Sequence, residues 1–324
     1  MYRRLLKYSL STLAILLIAG CSYDTEINSS VEERVPVTFE LATVPLSITR
    51  TTTCIDEVWS TGMEVSVKCT ADGETNDLNK VKKYVTASNG GSGFKLSGDG
   101  SANTFYWLNR SAQKSFELWY PYSATKPTTF PVDFDQASNT NNLQDYDLLY
   151  ASVSNLTASS SVVSSLSFYH QMSCLKVIVT EVPSGEEVTG VTVGYNNVAV
   201  TGTWTAAASN YVSGTGGASW TIADGDKKNT IILKKIAASP VAYCCILPPQ
   251  SFGDANTTLI TITTKETATP TNTHTYTCNG AITLYAGNLH TYSVNVAMGL
   301  SFKTTVTAWP GSSDGNYHGG SCTY

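Results

Sequence analysis

The sequence predicts an all-β protein built from two β-sandwich domains in tandem, and its composition and residue pattern support this fold class. Only 14% of the 324 residues are charged, well below the ~25% of a typical soluble protein. Polarity comes instead from hydroxyl and amide side chains, including 44 Thr. β-Branched and aromatic residues favour strands, whereas Gly and Asn favour turns. Because one ordinary sandwich takes ~100 residues, a chain of this length is expected to contain two.

The first twenty residues predict an export signal rather than part of the fold. A basic start precedes an apolar run at residues 8–20, which is too short to cross a bilayer because a spanning helix takes ~20 residues. The layout is that of a secretory signal. It ends in the letters LIAGC, which resemble a bacterial lipobox, so Cys21 is the predicted lipidation site. An ordinary signal peptide is the alternative, and the polar residues 21–34 are expected to form a tether.

Charge and cysteine content exclude several function classes. Removing the leader leaves 17 basic against 25 acidic residues, a formal net charge of −8, which gives no electrostatic reason to bind nucleic acid. Cysteines in a C-x-x-C pattern are absent, so the sequence predicts no metal site and no redox pair of that kind. The other cysteines are interpreted mainly as small buried hydrophobes, with one or two disulfides left open: Cys54, Cys69, Cys174, Cys244, Cys245, Cys278 and Cys322.

Strand signals with a period of two residues begin directly after the tether. The first stretch places four apolar side chains on one face: Val35, Val37, Phe39 and Leu41. Further stretches are predicted at residues 63–67, 116–120, 166–170, 175–179, 191–195, 231–233, 241–247, 259–264, 290–296 and 302–308. A Pro-Ser-Gly break at residues 183–185 divides the chain into an N-terminal sandwich, residues 35–183, and a C-terminal sandwich, residues 184–324.

Two local features depart from this simple pattern. The alternation changes parity somewhere in residues 171–174, which is typical of a β-bulge. Residues 77–84 could form one or two helical turns, and they are the only such segment after the leader.

A search for catalytic groups predicts that the protein is not an enzyme and binds no cofactor. Neither a G-x-S-x-G elbow, an H-E-x-x-H helix nor a phosphate-binding glycine loop occurs in the sequence. His170 and His290 lie on apolar strand faces and are interpreted as hydrogen-bonded core residues. Aromatic clusters that include Trp107 and Trp119 could stack on a sugar ring, although a place in a sandwich core fits them at least as well.

Several sequence blocks follow one another along the chain after the lipobox and the first strand. Trp59 precedes the strand at residues 63–67, the letters WYPY begin at Trp119, and DLLYA begins at Asp147. The segment FYHQMSCLKV follows from Phe168, and the last blocks are ILPPQ at Ile246, AGN at Ala286 and the late Trp309. Taken in order, these blocks resemble the fimbrillin family of Bacteroidetes surface lipoproteins, which comprises Mfa-like and FimA-like pilus subunits. Cys174 stands where the family has Lys or Arg.

The resemblance implies two transthyretin-like β-sandwich domains and a role as a structural or adhesive subunit of surface fimbriae. In the family, a lipoprotein precursor reaches the outer-membrane surface and is cut after a basic residue beyond the first strand. A strand from a neighbouring subunit then fills the opened groove by β-strand addition. The implied cut site here is Arg50, with Arg34 less favoured because that cut leaves the first strand in place.

The implied donor strand near the C-terminus carries Phe302, Thr304, Val306 and Ala308. Its alternative role is as a strand of its own C-terminal domain. The implied partners are other fimbrial subunits, the outer membrane through the N-terminal lipid, and a host or bacterial surface glycan or protein. The alternative from another class is a glycan-binding outer-membrane surface lipoprotein, which would use the exposed aromatic side chains.

Overall fold

A computed structural model of the protein describes residues 34–41, 59–74, 76–89, 93–109, 111–138, 142–158, 162–209, 216–297 and 301–309. Within these residues the regular structure consists of strands and of 3-10 turns three or four residues long, which confirms the all-β fold class. No helix in the described part of the chain has the length and apolarity needed to cross a membrane. The strands are β1 (Val35–Pro36), β2 (Thr38–Leu41), β3 (Glu64–Asp72), β4 (Val81–Ser88), β5 (Phe94–Gly98), β6 (Tyr106–Trp107), β7 (Lys114–Tyr120), β8 (Leu149–Leu156), β9 (Val162–Leu166), β10 (Tyr169–His170), β11 (Ser173–Glu181), β12 (Glu186–Val198), β13 (Thr203–Thr205), β14 (Ser219–Thr221), β15 (Asn229–Ile232), β16 (Lys234–Ala238), β17 (Val241–Leu247), β18 (Ser251–Glu266), β19 (Thr273–Thr283), β20 (Asn288–Asn295) and β21 (Ser301–Ala308).

Eight strands of the first half form one hydrogen-bonded sheet in the order β10-β8-β7-β3-β4-β5-β2-β9. In β3, Val65, Val67 and Cys69 are fully buried, because alternate residues of a strand face the same side. The short strands β1 and β6 pair separately. This sheet therefore contains every long strand before residue 171. Within it, β2 lies between β5 and β9.

The second half forms a five-stranded sheet in the order β16-β17-β11-β20-β21 and a four-stranded sheet in the order β15-β12-β18-β19. Both sheets contribute to the same hydrophobic core. Val177 and Cys245 enter it from the five-stranded sheet, while Val193 and Ile260 enter it from the four-stranded sheet. Two sheets that share a core in this way are typical of a sandwich.

The chain changes sheets at Gln171 and Met172, and the predicted β-bulge at this point is wrong. Strand β10 pairs with β8 in the eight-stranded sheet, whereas β11 pairs with β17 and β20 in the five-stranded sheet. The parity of the apolar residues changes because the two strands face different cores. The predicted helical turn at residues 77–84 is also wrong, since Val81 begins β4, which pairs with both β3 and β5.

Two clusters of buried side chains fill the fold. One is built from residues 37–168 beside the eight-stranded sheet. The other extends from Trp119 to Trp309, so side chains such as Leu143 and Tyr146 of the first half pack into the core of the second. Residues from Val35 onward accordingly group as one compact unit. The division into two sandwich domains after residue 183 remains a prediction, and β11 lies before that point although its partners lie after it.

Candidate functional site

The predicted first strand is inserted inside the eight-stranded sheet. Strand β2 runs antiparallel to β5 on one side and parallel to β9 on the other. Phe39 is opposite Leu96 of β5 and Val163 of β9. Because β2 has a hydrogen-bonded neighbour on each side, its departure would leave two unpaired strand edges facing one slot.

The side chains of this strand fill the core beneath the slot. Val37 and Phe39 are fully buried and Leu41 is almost fully buried. The ring centroid of Phe39 lies 5.9 Å from that of Tyr84 and 5.6 Å from that of Phe116, distances typical of favourable aromatic pairs. The predicted apolar face is therefore confirmed at these three positions, while Val35 at the start of the strand is half-buried.

Polar groups fix the strand at Val37, where β1 ends and β2 begins. The Val37 N–H donates to the Phe105 carbonyl at 2.8 Å, and the Tyr84 hydroxyl donates to the Val37 carbonyl at 3.1 Å. The same hydroxyl accepts the Phe105 N–H at 3.1 Å. Burial raises the pKa of Tyr84 well above its usual range. The hydroxyl therefore keeps its proton and can act as donor and acceptor at once.

The predicted processing sites lie at or beyond the limits of the described residues. Arg34 is exposed and directly precedes Val35, whose register partner is Trp107. A cut after Arg34 would leave both β1 and β2 attached and paired with their neighbours. Cys21 and Arg50 lie outside the described residues.

The predicted donor strand, β21, forms one edge of the five-stranded sheet. It runs antiparallel to β20, with Thr304 opposite Tyr292 and Val306 opposite His290. The backbone of Phe302 is paired with Val294 and that of Ala308 with Asn288, while the side chains of Thr304 and Val306 are half-buried. Among the described residues β20 is its only strand neighbour, so fewer pairings hold β21 than hold β2.

Trp309, directly after β21, ties this edge strand to the first half of the chain. Its side chain is fully buried, and its backbone N–H donates to the Gly287 carbonyl at 2.8 Å. The indole ring is stacked on the His170 ring with 4.1 Å between centroids and an interplanar angle of 4°. His170 Nδ1 is 2.8 Å from Oδ2 of the buried Asp147. His170 is thus a hydrogen-bonded core residue, as predicted, but its contact with Trp309 was not predicted.

The structure removes the basis for a sugar-binding platform at Trp107 and Trp119. Trp107 is 1% exposed and Trp119 is 0% exposed, so neither can present a ring face to a glycan. The described residues contain no group of three or more His, Cys, Asp or Glu side chains arranged to hold a metal ion. Five of the cysteines are buried: Cys69, Cys174, Cys244, Cys245 and Cys278. Cys69, Cys245 and Cys278 fit the interpretation as small buried hydrophobes, whereas Cys244 is disulfide-bonded.

Comparisons with known proteins identify the family to which the chain belongs. The family model described as fimbrillin-like matches residues 49–309. This range begins one residue before Arg50 and ends at Trp309, so the first strand lies outside it. A comparison with curated proteins found no match.

The chain is similar to solved structures from several bacteria, and the first two described here share its fold. A candidate cell adhesion protein from Bacteroides uniformis has a TM-score of 0.57 at 17% identity, covering 86% of this chain and 99% of its own. A second, from Bacteroides ovatus, has a TM-score of 0.57 at 15% identity, covering 86% and 98%. The tip fimbrial protein Mfa3 from Porphyromonas gingivalis has a TM-score of 0.39 at 11% identity, covering 85% and 100%. The family model covers most of the chain, and the chain therefore belongs to the fimbrillin-like family of fimbrial and adhesive surface proteins, which are structural proteins rather than enzymes.

Proposed function

We propose that the protein is a structural or adhesive subunit of surface fimbriae, made as a lipoprotein precursor and assembled by strand exchange. Lipid on Cys21 anchors the precursor to the outer membrane. A protease cuts after Arg50 and releases residues 35–41. A strand from a neighbouring subunit then takes the vacated slot, and the best candidate for that donor is β21.

The observation that carries this proposal is the position of β2 inside its sheet. Removing it uncovers the core positions that Val37, Phe39 and Leu41 fill. It also leaves the facing edges of β5 and β9 unpaired. Burying one large apolar side chain stabilises a protein by about 1.5–3 kcal/mol. Three such side chains from an incoming strand would contribute roughly 5–9 kcal/mol, and the main-chain hydrogen bonds of the new strand add to this. An incoming strand therefore restores most of the stabilising free energy that is lost when β2 leaves.

Strand β21 has the features that a donor strand needs. Its residues Phe302, Thr304, Val306 and Ala308 recur at every second position, as do those of the first strand. It lies at a sheet edge, where its backbone pairs with β20 alone among the described strands. Exchange would therefore break one strand pairing in the donor subunit and make two in the acceptor.

The test of processing is N-terminal sequencing of the protein shed from cells. We expect the surface form to begin at Thr51, and we expect Arg50→Ala to abolish this form. Arg34→Ala is the matched control, because Arg34 precedes the first strand and its loss should leave processing unchanged. A surface form that still begins at lipidated Cys21 would show that cleavage does not drive assembly.

The test of assembly uses the purified precursor treated with trypsin. We expect wild type and Arg34→Ala to form concentration-dependent ladders on native gels, whereas Arg50→Ala stays monomeric. Ladders formed by Arg50→Ala to the same extent would contradict release of the first strand at this site.

A further inference from the structure

A lysine and an aspartate form a buried pair between two strands of the eight-stranded sheet. Asp72 ends β3, Lys114 begins β7, and the two residues are direct register partners. The Lys114 side chain is 1% exposed and that of Asp72 is 0% exposed. Lys114 Nζ lies 2.7 Å from Asp72 Oδ1, an oxygen bonded directly to the carboxyl carbon.

A second carboxylate touches the same ammonium group. Glu74 Oε2 is 3.2 Å from Lys114 Nζ, and the Glu74 side chain is 5% exposed. The backbone N–H groups of Leu108 and Asn109 donate to Glu74 Oε1 at 2.9 Å and 2.5 Å. The Leu108 N–H also lies 3.0 Å from Oε2. These bonds hold Glu74 in place with Oε2 facing Lys114.

A third carboxylate lies at the rim of the group. Asp77 Oδ2 is 3.8 Å from Lys114 Nζ, while Asp77 Oδ1 is 3.2 Å from the exposed Lys80 Nζ and 4.0 Å from Lys82 Nζ. The charge of Asp77 is therefore neutralised mainly by Lys80 and Lys82. The buried part of the group consists of Lys114, Asp72 and Glu74.

Holding these charges away from water is costly. Burial acts against the charged form of both Asp72 and Lys114, but their mutual hydrogen bond and the backbone donors outweigh it, so the pKa of Asp72 is lowered and that of Lys114 is raised. A buried ion pair is often less stable than neutral groups of similar size. A product that removes both charges together would remove both desolvation penalties.

We propose that Lys114 and Asp72 become joined by an intramolecular amide bond, with Glu74 as the proton carrier. The ammonium group passes one proton through Glu74 to Asp72 Oδ1, so that a neutral amine faces a neutral carboxyl group. The amine lone pair then forms the N–C bond at Asp72 Cγ, and the bond from Cγ to Oδ1 breaks. The hydroxyl at Oδ1 leaves as water with a second proton, which comes from the nitrogen. One ammonium and one carboxylate thus become one amide and one water, with no oxidant or reductant.

Backbone donors are already aimed at the atoms where negative charge would develop. The Asp77 N–H donates to Asp72 Oδ2 at 2.6 Å, and the Glu74 N–H donates to Asp72 Oδ1 at 2.9 Å. Fixed donors of this kind stabilise a tetrahedral oxyanion without reorganisation. Oδ2, held by Asp77, becomes the amide carbonyl oxygen and keeps its hydrogen bond.

The surroundings of Lys114 and Asp72 favour formation of the amide over its hydrolysis. Trp107, itself buried, places its ring 5.8 Å from Lys114 Nζ. Since the Lys114 and Asp72 side chains are buried, bulk water does not reach the site after the released water has left. The amide would bridge β3 and β7, which lie side by side in the interior of the sheet.

Peptide mass mapping of the unfolded, trypsin-digested full-length protein tests the bond. We expect no cleavage after Lys114, and a branched peptide in which residues 69–80 are attached to the Lys114 side chain. Its mass should be about 18 Da below the sum of its parts, the mass of one water. Full cleavage after Lys114 and an unmodified 69–80 peptide would show a permanent ion pair and overturn the proposal.

Three variants identify the roles of the groups. Lys114→Arg keeps the positive charge but cannot form the amide, so its peptides should be unbranched. Asp72→Asn can still react, by releasing ammonia, and its branched peptide should lose about 17 Da instead. Glu74→Gln should leave most of the chain unbranched after the same incubation, because the proton carrier is lost. A branched peptide in Lys114→Arg, or complete bond formation in Glu74→Gln, would contradict the assigned roles.

Discussion

Individual side chains in this protein owe their chemistry to what surrounds them, as two buried histidines illustrate. His170 lies against the Asp147 carboxylate and beneath the Trp309 ring. His290 is more deeply buried, and its Nε2 accepts the Tyr285 backbone N–H at 3.2 Å. Burial lowers the pKa of His290 to about 3. It therefore stays neutral, as an acceptor of a backbone proton must.

The lowered pKa of His290 predicts a loss of stability in acid. An unfolded histidine has a pKa of about 6.5, so between about pH 6.5 and about pH 3 the unfolded chain binds one proton more than the folded protein. The free energy of unfolding should therefore fall as the pH falls through this window, by about 1.4 kcal/mol per pH unit. Urea unfolding of wild type and His290→Gln at about pH 7 and about pH 5 measures it.

The glutamine variant is the control for the carboxylates, which also titrate in acid. It keeps an acceptor for the Tyr285 N–H but cannot take up a proton. The stability difference between wild type and His290→Gln should shrink by about 2 kcal/mol between the two pH values. A difference that does not change with pH would mean that His290 does not titrate on unfolding.

Trp309 should be a large contributor to stability. Replacing it with Ala removes a fully buried ring and its stack on His170, and such truncations cost about 3–5 kcal/mol. Thermal and urea unfolding of Trp309→Ala measure the loss, with Trp309→Phe as the control that keeps an aromatic ring over His170. If Trp309→Ala unfolds at the wild-type midpoint, the stack does not hold the end of β21.

Strands were predicted from the sequence where one face is strongly apolar. Residues 241–247 match β17, and the predicted stretches at 116–120 and 302–308 lie within β7 and β21. Strand β19 was missed, although its side chains alternate between exposed and covered, because most of its inward positions are not strongly hydrophobic. The segment at 77–84 does not show a strand pattern because Lys82 and Lys83, both half-buried in β4, interrupt its apolar alternation.

The site could be predicted only in part. The apolar face of residues 35–41 is a local pattern, and its burial followed from that pattern. The Trp309 stack and the buried pair of Lys114 and Asp72 depend on contacts between residues distant in sequence. No periodicity in the sequence reports such contacts, which arise only when the sheets assemble.

Locking the first strand in its seat should block assembly. Glu40 of β2 and Lys95 of β5 are register partners, and opposite residues on antiparallel strands lie within the span of a disulfide, whose Cα atoms are about 4.4–6.8 Å apart. We expect oxidised Glu40→Cys/Lys95→Cys to stay monomeric after trypsin treatment, because the cut strand cannot leave. Native gels before and after reduction measure this.

The reduced double variant is the control for the two substitutions. It should form ladders to the same extent as wild type. Ladders formed equally by the oxidised protein would show that subunits assemble without losing β2.

The whole molecule keeps the proposed acceptor and donor segments in different sheets. Strand β2 lies in the eight-stranded sheet, whereas β21 lies at the edge of the five-stranded sheet. The change of sheet at Gln171 and Met172 produces this arrangement. A subunit can therefore lose its first strand without disturbing the pairing of β21, and the reverse is also true.

Locking β21 to β20 should separate the two roles. Thr291 and Thr305 are register partners, so Thr291→Cys/Thr305→Cys can be oxidised to hold β21 in its own sheet. After trypsin treatment the oxidised protein should not form ladders by itself. It should still accept a strand from wild-type subunits, and mixtures with cleaved wild type should show it only at the end of short ladders. Self-assembly of the oxidised variant would exclude β21 as the donor.

The placement of β2 and β21 in different sheets also determines the symmetry of any assembly formed by exchanging them. A strand leaving one surface and entering a different surface of the next copy makes a heterologous contact, which repeats without closing unless its rotation happens to return to the start. Such a contact produces a polar filament rather than a two-fold dimer. One end of the filament would carry an empty slot and the other an undonated strand, so capping either end requires only a subunit that lacks one of the two functions.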